Sequence, residues 1–193
     1  QAFMAHKSAN ERQAGLLLKK AASLPANFVF PFREESEAVL QWSVQQSTDW
    51  QPRYYLSLLY RSRNDREKAY SLIAAVNDKI NFAPFYTFRA TLTDDVALQE
   101  NDLKKAASLS PGEWRYTHEL TRFYLKNGNN KKALEVISAF YKKNQGHFPT
   151  GIMYTRVLLK NKAYAQAEEA LQKINFLPPE GDPDGHLLYR ATK

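Results

Sequence analysis

The chain has 193 residues, 44% of them apolar and 13% aromatic, and a formal net charge of +7; that suffices for one ordinary domain or a handful of stacked repeats and excludes two enzyme-sized domains. It contains no cysteine, which excludes disulfides, thiolate metal sites and cysteine nucleophiles and leaves the redox compartment, cytoplasmic or exported, open. Mean hydropathy is −0.57, and no stretch reaches the roughly 18 to 20 apolar residues of a membrane-spanning helix.

The chain opens on Gln1 rather than Met, which reads as a trimmed or processed start. Ala14, Leu18, Ala21 and Leu24 then fall on one face of a helix, so residues 11–25 read as the second helix of a pair whose first is missing or poorly formed. Residues 26–49 read as an aromatic linker and a helix. The linker carries Phe28, Val29, Phe30, Pro31, Phe32 and Arg33; Pro31 holds Phe30 extended. Its rings are expected to fill the seam between the first helix and a helix over 34–46, the other reading being a hydrophobic docking strip. From Trp50 onward the chain reads as helical pairs over about 50–82, 83–112, 113–147 and 148–180. Asn64 and Asp65, and later Asn127 to Asn130 around Gly128, end one helix and cap the next, glycine supplying a left-handed residue. Last, Asp184 is placed to cap a helical stub over 186–193 containing Leu187, Leu188 and Tyr189. The stub ends before two turns are complete. With both ends unfinished, the chain reads as a piece of a longer repeat protein. The fold expected is all-α, with nine or ten helices in antiparallel pairs and no sheet: an α-solenoid, 1–193 as one repeat domain.

Internal repetition supports that reading. Residues 18–24 read LKKAASL, and so do residues 103–109. Thr121, Arg122, Lys126, Ala133 and Ile137 return at one constant offset as Thr155, Arg156, Lys160, Ala167 and Leu171. Trp50, Leu56, Ser57, Tyr60, Ala69 and Ile73 return at a second, longer offset as Trp114, Leu120, Thr121, Tyr124, Ala133 and Ile137. Ala69, Ala133 and Ala167 are expected at close helix crossings, where only a small side chain fits.

The order large apolar, small, aromatic, turn, alanine, large apolar resembles the tetratricopeptide repeat, and the shorter offset matches the roughly 34-residue unit of that family. Leu120, Thr121, Tyr124, Gly128, Ala133, Ile137 and Phe140 carry it best, followed by Leu56, Ser57, Tyr60, Asn64, Ala69, Ile73 and Val76, then by Tyr154, Thr155, Leu158, Lys162, Ala167, Leu171, Ile174 and Pro179. Leu103, Ala106, Leu109 and Pro111 fit the second helix of another unit, in which Gln99 stands where alanine is expected. The resemblance implies a right-handed superhelix of helical hairpins. The linker followed by a Trp42 helix is also similar to the repeat regions of large bacterial proteins that carry a β-rich domain of unknown function ahead of their repeats.

Chemistry-bearing motifs are sparse. His6, His118, His147 and His186 lie far apart, and none pairs at the i, i+4 spacing that places two imidazoles on one metal. The sequence has neither a glycine-rich phosphate loop, a dinucleotide fingerprint nor a serine nucleophile elbow. No metal, cofactor or catalytic residue is assigned. Glu34, Glu35 and Glu37, and Asp94 and Asp95, are read as charges complementing helix N-termini.

Charge is more informative. Residues 120–162 hold nine bases, Arg122, Lys126, Lys131, Lys132, Lys142, Lys143, Arg156, Lys160 and Lys162, against the single acid Glu135, a local net of 9 − 1 = +8. Either this is a solvated surface or it is a binding face. The face expected combines Arg122 and Lys126 with Arg156 and Lys160 as a two-by-two patch on first helices. Arg115 and His118 extend it, with Arg61 and Tyr54 further along. Lys131, Lys132, Lys142 and Lys143 are expected outside it. The function expected is a protein-interaction scaffold for an acidic peptide or a neighbouring domain, of open oligomeric state. Single-stranded RNA is the second partner class, and a helical module attached to a carbohydrate-related enzyme the third reading.

Overall fold

The computed structural model describes residues 1–74, 76 and 79–174. Among them are eleven helices and no strand: α1 (Ala2–Lys7), α2 (Glu11–Ala22), α3 (Glu35–Gln46), α4 (Trp50–Ser62), α5 (Arg66–Ala74), α6 (Ala83–Leu92), α7 (Val96–Leu109), α8 (Trp114–Lys126), α9 (Asn130–Lys143), α10 (Phe148–Lys160) and α11 (Tyr164–Gln172). The unfinished helix expected over 186–193, with His186, lies outside the described residues, as does Pro179. Two compact units divide the chain, the first ending at Gln99 and the second beginning at Glu100.

Short polar residues set the helix starts. Asn10 accepts the backbone N–H of Gln13 at 3.1 Å, Asp65 that of Lys68 at 3.1 Å and Asn129 that of Lys132 at 3.2 Å. Asp95 accepts two, from Ala97 at 2.8 Å and Leu98 at 3.1 Å, each satisfying a donor that the first helical turn leaves open. The helix ends repeat as the sequence does. Asn64, Gly128 and Lys162 have φ of 64°, 71° and 61°, so the three equivalent turns all use a left-handed residue, of which only Gly128 escapes the Cβ penalty.

In the first unit α1 packs on α2, α3 on α4, α4 on α5 and α5 on α6; in the second, α8 packs on α9, α9 on α10, α10 on α11, and α8 also touches α10. The small residues sit in the interior of the pairs: Ala69, Ala133 and Ala167 are each 0% exposed, and Ser57, Thr121 and Thr155 of the partner helices are buried as completely. Ser57 donates its hydroxyl across the pair to the carbonyl of Ala69 at 2.6 Å. Thr121 and Thr155 turn theirs onto their own helices, to the carbonyls of Thr117 and Gly151. Gln99 stands where alanine was expected and folds its amide onto the Thr93 carbonyl at 2.6 Å, so that position serves a loop closure rather than a close crossing.

Two expectations for residues 1–49 need correction. The helix ahead of α2 is present: α1 puts Phe3 and His6 against the Trp42 ring, at centroid distances of 5.7 and 5.1 Å, and Ala14, Leu18 and Trp42 form the small core beneath. The linker rings do not fill a seam. Phe28, Phe30 and Phe32 are 92%, 69% and 80% exposed, because α1 already covers the apolar surface that Ala14, Leu18 and Trp42 would have offered them.

Candidate functional site

Each candidate residue is placed within its own unit. Tyr54, expected on the binding face, is buried in the first unit among Trp50, Phe82, Phe85 and Phe88, all with ring centroids within 5.9 Å. His118, likewise expected on the face, is buried in the second, its ring edge-on to Trp114 at 4.7 Å. The two are equivalent positions of the longer echo, and both lie one helical turn after an equivalent tryptophan. That i, i+4 spacing stacks them on the same face of α4 and α8, which is the core face. Burial pushes the His118 imidazole down to about 4, with Arg122 and His147 adding to it; the ring is neutral, and its Nε2 has no hydrogen-bond partner. Trp114 also touches His147, at 5.6 Å, so two histidines far apart in sequence share one indole. Among the described residues no three acidic or histidine side chains gather in a way that could hold a metal ion.

The charged candidates remain at the surface. Arg61 is exposed in the last turn of α4. Arg115 lies over the Trp114 ring at 5.1 Å and donates to Glu113 at 3.0 Å. Of the four residues expected to form a two-by-two patch, Arg122 and Lys126 come from α8 and Arg156 and Lys160 from α10, two helices in contact. The four are not equivalent electrically. Arg122 donates to Glu119 at 2.7 Å, an acid one residue outside the span whose net charge was counted, and Arg156 is half-buried. Lys126 and Lys160 are exposed and have no carboxylate partner among the described residues.

The bases of α9 are differently employed. Lys132 reaches Glu100 at 3.1 Å, where the carboxylate also accepts from the Tyr124 hydroxyl at 2.9 Å and pairs with Lys104 at 2.7 Å. These hydrogen bonds, that of Lys104 foremost, hold Glu100 down at about 2. Glu100 thus ties α7 to α8 and α9. Lys142 and Lys143 end α9, where positive charge complements the helix dipole.

Arg156 and Lys160 line a cleft of about 370 Å³ together with Leu125 and Leu159. Sequence reasoning missed its two leucines. Leu125 and Leu159 stand at the same offset that marked the cations, but an apolar residue on an amphipathic helix reads as core until its half-exposed position is seen. Neither the protein-family models nor the curated proteins searched include a match to this chain.

Proposed function

We propose that this chain is a tetratricopeptide-like interaction module whose second unit binds an acidic peptide segment of another protein or domain. The observation that carries the reading is the pairing of Arg122 and Lys126 with Arg156 and Lys160 on helices in contact, with Lys126 and Lys160 exposed and without a counter-ion among the described residues. Exposed cations without counter-ions raise the local potential and attract anionic segments. The α-solenoid arrangement is supported by the equivalent buried alanines, the equivalent left-handed turns and the packing of neighbouring helices in chain order.

The test uses the full chain and a fluorescein-labelled hexaglutamate peptide, with a labelled polyuridine oligonucleotide as the competing ligand. The peptide is expected to bind the parent. It should be lost on Arg122→Glu with Arg156→Glu and retained on Lys142→Glu with Lys143→Glu, the helical circular dichroism being unchanged throughout. Tighter binding of the polyuridine, with log K falling steeply against log salt, would instead favour a nucleic-acid surface.

A further inference from the structure

This cleft joins two kinds of surface that a merely solvated face keeps apart. Leu125 comes from α8 and Leu159 from α10, both only half-buried, and Arg156 and Lys160 line the same cleft one helical turn from each other. A half-exposed leucine is ordinary by itself. Here two leucines at equivalent repeat positions share one cleft with two cations of α10. The first unit lacks it: the residues equivalent to Arg122, Leu125 and Lys126 in α4 are Leu58, Arg61 and Ser62. At about 370 Å³ the cleft lies at the small end of the range for ligand pockets, which suits one anchoring side chain rather than a whole cofactor.

We propose that this cleft takes a single large aliphatic side chain of an acidic peptide, with Leu125 and Leu159 forming the floor and Lys160 and the neighbouring Lys126 engaging carboxylates on either side of the anchor. The proposal rests on the acidic-peptide reading above and adds its specificity. The occupant follows from complementarity: Lys126 and Lys160 are exposed cations without a carboxylate partner among the described residues, which opposes a second copy of the same face, while a bare anion would leave the leucines uncovered. An acidic segment bearing one aliphatic residue satisfies both surfaces.

Two labelled peptides distinguish the proposal from the reading beneath it: one with a central leucine flanked on each side by three glutamates, and one with glycine in its place. The leucine peptide should bind the full chain at least tenfold more tightly at equal salt. Leu125→Ser should remove that advantage without changing the weaker binding of the glycine peptide, and Leu125→Met should preserve it. Because Leu159 also packs on the core around Ile152, Leu171 and Ile174, the variants are confined to Leu125 and each is checked by thermal unfolding. Equal affinities for the two peptides would overturn the cleft and leave the acidic-peptide reading standing. A leucine advantage insensitive to Leu125→Ser places the anchor elsewhere and also overturns it. Binding of neither peptide overturns both readings.

Discussion

The α4–α5 pair and the α8–α9 pair are built on one plan and surfaced differently. Their interiors correspond residue for residue: Ser57 with Thr121, Ala69 with Ala133 and Ile73 with Ile137, each of the six 0% exposed. Their turns correspond as well, through Asn64 and Gly128. Their surfaces do not. Where α8 carries Arg122, Leu125 and Lys126, α4 carries Leu58, Arg61 and Ser62. Repetition constrains what faces the neighbouring helix and leaves the outward positions free to differ between these two pairs.

Substitutions at the equivalent alanines test that plan most severely. Ala69→Leu and Ala133→Leu should each cost roughly 1 to 3 kcal/mol by overpacking, measured by chemical denaturation. If one is tolerated and the other is not, the two crossings differ in spacing and the correspondence is only one of sequence.

The turns should separate the pairs by less. Gly128→Ala puts a Cβ at φ 71° and should cost about 1 kcal/mol. Lys162→Gly relieves the same strain in the next turn and should stabilise by about half that, offset in part by the greater freedom of glycine in the unfolded chain. Asn64→Gly should be nearly neutral, since asparagine tolerates the left-handed region. Equal effects at all three would show that the turns are held by packing rather than by local conformation.

The smallest effect near neutral pH is at the tryptophan-supported position, Tyr54 in one pair and His118 in the other. His118 sits at about 4 against an ordinary 6.5, so the unfolded chain takes up the proton first. Its contribution to stability is therefore intact above pH 6.5 and lost as the pH falls toward 4. His118→Phe supplies a ring that cannot take up a proton and removes a buried nitrogen without a partner. The variant's melting temperature should fall less than the parent's between pH 6.5 and 4. A parallel fall in both would mean that the imidazole is not the group responsible.

Periodicity made the helices legible because it acts locally: apolar spacing, a capping Asp or Asn and a turn residue are all decided within a few neighbours in the chain. That logic placed Ala69, Ala133 and Ala167 in the interior and Asn64 and Gly128 in the turns. It misplaced Tyr54 and His118, since an aromatic or imidazole ring on a helix is compatible with either face until its neighbours are known. It also left Leu125 and Leu159 unnoticed.

What the sequence determined by itself was the all-helical class, the pairing of successive segments and the equivalence of positions at the two recurring offsets, because these follow from short-range conformation and burial pattern. The tertiary structure decided which cations are already satisfied, Arg122 by Glu119 and Lys132 by Glu100. It also decided that α1 rather than the linker phenylalanines covers Trp42, and that two leucines and two cations share one cleft. Each of these depends on which side chains meet in space, and no spacing along the chain carries that information.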